Sequence, residues 1–451
     1  MKKYIKAILP LLLLTCLLLN AVSCSFSSED NSDEIINGLL KGEELSIHSK
    51  RLTQHETPYT LCYENSDGSF SVYIFSSPIA YKDEEGTLKL IDTSLTDTDE
   101  KEGYALKTKS GKIVSYYPES LCDAPVIVKS EKDEISFCIE EGFRGSDCQK
   151  ILFCDLLGAQ RECVSYTGGK ADIKYVPTSS GTTVNITLDK QAEEGKISFY
   201  VKSSEGKAFS LVNERDVLIT NPLTSKQAGA IKQSPIRDAN GRMTYCSAAI
   251  EEEDGGLKYT VSLDEQLLSS PDTAYPVSLS VSFELEQNTL TSVLSDGEKV
   301  LDSLSDHYTV EDEKAMYMKF RIGYLLKSYK QNVKSASFNV VGASVTEKCT
   351  LGLYRLSGFW RSEGFVSPEV SFKESELEIK GAGKYSADIT QYVKACIHDD
   401  TLNSEDFGLV FKAAVGKAVL SSYNDPTYKP YVRINFYDLP WTFESVDVIE
   451  S

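Results

Sequence analysis

Histidine, tryptophan and methionine are scarce in this chain: four, two and four among 451 residues. The four histidines are His48, His55, His307 and His398, and none sits in an HExxH motif. A GxSxG elbow is also missing, so neither the metalloprotease nor the serine-hydrolase signature is present. Cysteines occur, but no CxxC pair does, and zinc sites are usually built on such tight pairs. Positive charge is in short supply, with 47 Lys and Arg against 67 Asp and Glu for a net charge of −20. A nucleic-acid binder must neutralise phosphates, so this balance argues against nucleic acid as a partner. A glycosidase needs two carboxylates roughly 5 to 10 Å apart. With so many acids the sequence neither excludes such a pair nor selects one, and the acidic run 251–254 reads as an exposed hairpin tip. No catalytic residue is assigned.

After the first 24 residues no second long apolar run follows. Those 24 residues have the parts of a secretory signal: Lys2, Lys3 and Lys6, an apolar run over 7–19, then Ala21-Val22-Ser23-Cys24. The run is shorter than the roughly 20 residues of a membrane span. A cysteine placed directly after small residues resembles the bacterial lipoprotein signal, although Ala21 stands where such signals most often have Leu. The resemblance implies a signal peptide over 1–23 and Cys24 as the lipidated first residue of the mature chain. Plain secretion and an uncleaved anchor are the alternatives. Residues 24–50 then read as a lipidated tether, its polar start a solvated leash. The expected location is outside the cell, held by lipid to the outer face of the membrane.

Nine cysteines follow Cys24, an odd number, and five of them lie between Cys122 and Cys163. An exported chain can pair some of them, but at least one stays free. Small buried thiols with one or two bridges are the simplest account. Composition favours strands: 25 Tyr and 18 Phe accompany abundant Val, Ile and Thr. More than 400 residues after the signal are too many for one core and suggest two or three domains.

A mild helical rhythm runs over 35–47, weakened by Gly38 and Gly42. From Pro58 the period becomes two. Phe70, Val72 and Ile74 alternate with Ser71, Tyr73 and Phe75, and turn signals precede and follow them. Further alternations occur at 135–139, 184–188, 197–201 and 259–263, and the clearest covers 277–285. Around 287–307 the pattern breaks into a polar, Ser-rich stretch, which marks a domain boundary. Beyond it, strands are expected at 317–322, 337–341, 351–354 and 431–437, with one helical or turn-like segment at 388–397. Short strands separated by turn signals indicate sandwiches or barrels, so the fold class is all-β.

The C-terminal block carries an ordered set of segments. They are Met318-Lys319-Phe320-Arg321-Ile322, then Val333-Lys334-Ser335-Ala336-Ser337-Phe338-Asn339-Val340, and Phe359-Trp360-Arg361-Ser362-Glu363. Ala387-Asp388-Ile389-Thr390-Gln391-Tyr392-Val393 and Phe407-Gly408-Leu409-Val410-Phe411-Lys412 come next, and Lys429-Pro430-Tyr431-Val432 closes the set. In this order they resemble DNRLRE-domain proteins, which are grouped with carbohydrate-binding module family 96. The resemblance covers residues 296–438 and implies a jelly-roll-type β-sandwich with a glycan-binding role. A second family Trp is replaced around Phe365-Val366-Ser367-Pro368, and a further one falls near Cys396. Asp67-Gly68-Ser69-Phe70 with Tyr81 to Asp92, and Ser234-Pro235-Ile236-Arg237-Asp238 with Ala274-Tyr275-Pro276-Val277, make the larger β-rich region 51–287 similar to the N-terminal parts of wall-associated and RHS-type surface proteins, and 439–451 is expected to be a tail.

Sugar binding needs flat apolar faces for pyranose rings and planar polar groups for hydroxyls. The candidates are Tyr354, Arg355, Trp360 and Arg361 on one loop and Tyr423, Asn424 and Tyr428 on another. Each aromatic has a plainer alternative as core or rim packing. Lys319, Arg321, Lys327, Lys330 and Lys334 form a basic run that suits an anionic polysaccharide or simply a solvated strand face. Asp238-Ala239-Asn240-Gly241 lacks the spaced acids of a calcium loop and reads as a turn. No metal ligand set and no cofactor are assigned, and structural calcium elsewhere stays open. The expected function is a cell-surface lipoprotein with a non-catalytic carbohydrate-binding-like module that binds or organises polysaccharide. The alternatives are a structural or protein-interaction role without glycan binding, and a polysaccharide-active enzyme.

Overall fold

Alternation of apolar and polar residues with period two dominates the folded chain, and strands are what it produces. The computed structural model describes residues 32–438 except 155–156, 158–159, 190–194, 213, 241, 254, 286–291, 304, 306, 321, 323–331, 347, 359, 361–365, 399–407 and 426. Cys24 and Arg361 lie outside the described residues. The chain divides into two compact units, residues 1–40 and 41–451. In the first, the helix Ser32–Leu39 buries Ile36 and Leu39 and carries Asp33 and Glu34 in its first turn, where the helix dipole favours negative charge. The helical rhythm over 35–47 is therefore realised as this helix and a separate 3-10 turn, Leu45–Ile47. Gly42 lies between them at φ 81°.

The second unit is all-β and holds two large hydrophobic cores. The first core is closed by two sheets. One contains, in spatial order, Ser247–Glu253, Gly256–Ser262, Lys196–Ser203, Glu134–Ile139, Val126–Lys129, Val114–Pro118, Tyr104–Ser110 and Asp92–Asp97. The other runs Cys148–Cys154, Gln160–Tyr166, Asp172–Thr178, Gly181–Leu188, Val277–Leu285, Gln227–Gln233, Asp216–Thr220 and Ala208–Val212. Phe137 of the first sheet stacks on Phe283 of the second with ring centroids 3.7 Å apart. The strand Val277–Leu285 sits centrally in its sheet, which explains why its Val277, Leu279, Val281, Phe283 and Leu285 are all buried.

The second core lies between another pair of sheets. The first contains His48–Arg51, Thr60–Asn65, Phe70–Phe75, Tyr431–Phe436, Val333–Ser344, Ala418–Ser421 and His307–Val310, and Gly383–Asp388 also pairs with Val333–Ser344. The second contains Val300–Asp302, Ser292–Ser295, Ala315–Met318, Leu409–Val415, Cys349–Leu356 and Val370–Ile379. Helix Thr390–His398 adds Tyr392 and Val393 to this core.

Pairing crosses the expected division into 51–287 and 296–438. Phe70 pairs with Phe436, Val72 with Ile434 and Ile74 with Val432. The final strand is thus inserted between Phe70–Phe75 and Val333–Ser344. The stretch around 287–307 contributes two short strands, Ser292–Ser295 and Val300–Asp302, with Val293 and Leu294 fully buried.

The other face of the sheet that includes Phe70–Phe75 is polar and aromatic, yet closed. Glu43 lies over it. One of its carboxylate oxygens accepts from Tyr431 Oη at 2.6 Å, the other from Arg433 Nη1 at 2.9 Å, and Lys384 is also bonded to it. Burial alone would raise the Glu43 pKa, but Lys384, Tyr431 and Arg433 hold it below the usual carboxylate value. Lys384 also lies below its own ordinary value, because burial and the neighbouring Arg433 cation oppose its charge. His48 stacks on Tyr63 at 4.4 Å. The network assigns its Nδ1–H as donor to Asn65 Oδ1 (2.6 Å) and its Nε2 as acceptor from Tyr73 Oη (2.8 Å). Burial keeps the imidazole below its ordinary pKa.

Candidate functional site

The strand Cys349–Leu356 is flanked by Val370–Ile379 and Leu409–Val415. Cys349, Leu351 and Leu353 face the core, so Gly352 and Tyr354 share the opposite face. Tyr354 is half-buried and its ring lies along the sheet over Gly352. A Cβ at residue 352 would come within 2.5 Å of the ring Cε2 and 2.7 Å of the hydroxyl. Gly352 pairs with Glu376 on one side and Lys412 on the other, and Tyr354 pairs with Lys373 and Val410. Lys373 and Glu376 form an ion pair at 2.5 Å, and Lys412 is exposed. The result is an aromatic ring lying over a glycine on the outer face of a sheet, with charged residues on the neighbouring strands. The sequence contains a signal for it: glycine and tyrosine two residues apart on one strand share a face.

Trp360 takes the plainer of the two roles the sequence offered, apolar packing, though outside the main sandwich core. It lies on the outer side of the same sheet, 3 % exposed, packed with Val293, Tyr317, Leu356 and Val410. Its ring centroid is 6.1 Å from that of Tyr317. Lys319 Nζ sits 4.5 Å from the ring centroid and donates to the Trp360 carbonyl at 2.7 Å. Trp360 is thus a cover on this face rather than a contact open to solvent. Arg355 faces elsewhere: its Nε donates to Glu374 Oε1 at 2.7 Å and its guanidinium carbon lies 5.3 Å from the Tyr392 ring centroid.

The second predicted loop is somewhere else. Tyr423 is buried and donates from its hydroxyl to the Ser303 carbonyl at 3.2 Å. Asn424 donates to the same carbonyl at 3.0 Å. Tyr428 is buried beside Leu157 and accepts from Lys41 Nζ at 2.7 Å. None of the three joins the cluster around Tyr354 and Trp360. Of the basic run, Lys319 serves Trp360 and Lys334 pairs with Asp67 at 3.1 Å, while Arg321, Lys327 and Lys330 lie outside the described residues.

A further constellation escaped sequence reasoning. Asp425 is fully buried. Its Oδ1 accepts from Arg161 Nη2 at 2.9 Å and from the backbone N–H groups of Thr427 and Tyr428 at 2.9 and 2.7 Å. Its Oδ2 is 3.3 Å from His307 Nε2. Burial would raise its pKa, but Arg161 and His307 keep it below the ordinary value. Lys232 donates to Glu284 at 2.8 Å, and this carboxylate more than offsets burial and keeps the ammonium charged. Lys429 donates to Ser77 Oγ at 2.6 Å, and Ser77 Oγ to the Tyr423 carbonyl at 3.0 Å. Arg161 and Lys232 come from strands around the first core, His307 from the sheet around the second. The ion pairs of Asp425 with Arg161 and His307 tie the two sandwiches together. No local pattern announces them, because Arg161 and Asp425 are 264 positions apart.

Asp238 makes a turn, accepting through Oδ1 from the N–H groups of Asn240 (3.0 Å) and Arg242 (2.8 Å). Among the described residues, no group of three or more His, Cys, Asp or Glu side chains is arranged to hold a metal ion. No protein-family model matches this chain, and no curated protein matches it.

Proposed function

We propose that this chain is a lipid-tethered surface protein that binds polysaccharide without cleaving it, through the sheet face around Tyr354. The observation that carries the reading is the Tyr354 ring, half-buried and lying over Gly352, with Lys373, Glu376 and Lys412 paired beside it in the sheet. A pyranose ring presents an apolar C–H face that packs on such a plate. Its hydroxyls pair with the ionised groups at the rim in charge-assisted hydrogen bonds. Trp360, Tyr317 and Lys319 stiffen the neighbouring surface, and a rigid plate loses less entropy on binding. The ordered resemblance to DNRLRE-domain proteins supports the same reading. Cys24 supplies the tether, placing the module at the envelope.

The test is affinity electrophoresis of the whole mature chain, with Cys24→Ser for solubility, against bacterial wall, matrix and plant polysaccharides. At least one glycan is expected to retard the protein. Tyr354→Ala is expected to weaken that binding about fivefold, the effect of losing roughly 1 kcal/mol of ring stacking, with the melting temperature nearly unchanged. Retention by no glycan, or binding indifferent to Tyr354, would overturn the proposal. That result would favour the second reading, a protein-interaction surface. Val366, Val370 and Phe372, exposed by 75, 37 and 61 %, lie on or beside the edge strand Val370–Ile379 and are what recommends it.

A further inference from the structure

Nine cysteines are described as free thiols. Cys62, Cys163, Cys246 and Cys349 are buried, and Cys148 is half-buried opposite Tyr166 in its hairpin. Cys122 and Cys138 differ from these because the fold brings them together. Cys138 belongs to strand Glu134–Ile139, where it alternates with the buried Ile135, Phe137 and Ile139. Cys122 is exposed, in the turn that follows strand Val114–Pro118. That turn is fixed in place. Leu121 is buried in the first core, its N–H donates to the Gly145 carbonyl at 3.1 Å, and the Cys122 N–H donates to Ser120 Oγ at 3.1 Å.

Cys138 Sγ donates to the Leu121 carbonyl at 3.4 Å. That carbonyl belongs to the peptide bond leading into Cys122. In a trans peptide the next Cα lies roughly 3 Å from the carbonyl oxygen, so Cys138 Sγ lies within about 6 Å of the Cys122 Cα. The two thiols are also close enough for Cys122 to act electrostatically on the Cys138 sulfur, within reach of the short side-chain geometry a disulfide needs. Rotation of one exposed side chain, with a small local adjustment, brings the two sulfurs together. Arg144 completes the cluster: its Nε donates to the Ile139 carbonyl at 2.8 Å and its guanidinium lies beside the Cys138 sulfur. Burial pushes the Cys138 thiol up, and the guanidinium opposes that rise by favouring the thiolate.

We propose that Cys122 and Cys138 are a reversible redox pair, a dithiol here, that closes to a disulfide by exchange with an external low-molecular-weight disulfide. The exposed Cys122 thiolate attacks one sulfur of the external disulfide. A mixed disulfide forms on Cys122, and the first small thiolate leaves and takes a proton. Cys138 then loses its proton to solvent, and its thiolate attacks the Cys122 sulfur with Arg144 beside it. The second small thiol departs. Two protein thiols have been oxidised and one external disulfide reduced to two thiols. The bond staples the 119–125 turn to the strand that underlies it.

The folded chain is incubated with hydroxyethyl disulfide, quenched by alkylation and digested with trypsin without reduction. Residues 113–129 and 133–144 carry Cys122 and Cys138 on separate tryptic peptides. In the wild type these peptides are expected to be joined, two hydrogens lighter than their sum. Cys138→Ser should trap the mixed disulfide on Cys122, and Cys122→Ser should leave Cys138 as a thiol. Oxidation should raise the melting temperature of the wild type but of neither variant. A stable adduct on wild-type Cys122, or a link from either residue to a different cysteine, would overturn the pairing. Because Cys122 is exposed, its serine variant tests the pair without disturbing the core.

Discussion

Gly352 shows how one missing side chain shapes a surface. A glycine in a strand interior usually weakens it by roughly 0.5 to 1 kcal/mol relative to alanine. Here the vacancy holds the Tyr354 ring, whose Cε2, Cζ and Oη would all lie under 3.0 Å from an added Cβ. The atoms in the way are the far end of a mobile side chain rather than backbone, so the ring can swing off the sheet. Gly352→Ala is therefore expected to leave stability within about 1 kcal/mol of the wild type, strand propensity offsetting lost ring packing. The ring should become more accessible. Tetranitromethane nitration of Tyr354, read by peptide mass spectrometry, should be faster in the variant. An unchanged rate would mean that the plate does not depend on the glycine. The carbohydrate-binding affinity proposed above should fall in the same variant, because a raised ring no longer offers a flat face.

Strand pairing decides which pieces of the chain can stand alone. The strand Tyr431–Phe436 places Val432, Ile434 and Phe436 in the second core, and both of its neighbours are needed to seal it. One neighbour is Val333–Ser344 and the other is Phe70–Phe75, more than 350 positions earlier. A fragment over 290–451 has lost Thr60–Asn65 and Phe70–Phe75, with Cys62, Val72 and Ile74 of the core. Its new edge presents unpaired N–H and C=O groups, a template for aggregation. That fragment is expected to be aggregated or to lack a cooperative thermal transition, and fusing residues 41–76 to it through a flexible linker should restore one. Circular dichroism melts of the two proteins check this, and a cooperative melt of the fragment alone would refute it. The strands themselves were legible: the alternations at 70–75, 135–139, 184–188 and 277–285 all became strands. The segment 388–397 became the helix Thr390–His398. What period two does not encode is the neighbour. It says which face is apolar and leaves open which strand lies alongside, so the closure by Phe70–Phe75 could not be read. The site was half legible for the same reason. Tyr354 could be picked as an aromatic, but the sequence groups it with Arg355 and Trp360 on a loop, and it lies instead in the strand Cys349–Leu356, where Lys373 and Lys412 reach it only through sheet register.

At the scale of the whole molecule, two apolar cores are joined by a polar seam, and the seam's central anion is Asp425. Breaking a buried ion pair by removing one partner costs about 3 to 5 kcal/mol, because the remaining charge is stranded. In Asp425→Ala the group that loses this carboxylate is Arg161, which is 5 % exposed. The loss falls on the junction and not on either core. The variant should therefore unfold in two calorimetric transitions where the wild type at neutral pH shows one. Acid should mimic it. Asp425 and Glu43 both have folded-state pKa values below their ordinary values of 3.8 and 4.5. The unfolded chain thus takes up protons first as pH falls, and stability falls with pH wherever that is so. Their contribution is whole above about pH 5 and disappears as pH drops through the lowered folded values. Calorimetry in steps from pH 7 to pH 3 should show a single transition that weakens and then splits. Asp425→Ala should be split at every pH and lose less stability than the wild type on acidification. A wild-type transition that stays single to pH 3, together with a single transition in the variant at pH 7, would mean that the seam does not couple the sandwiches. Their cooperation would then come from other contacts between them, such as Tyr245 Oη donating to the Val300 carbonyl at 3.0 Å, Arg237 donating to Thr309 Oγ1 at 3.3 Å, and Tyr428 against Leu157.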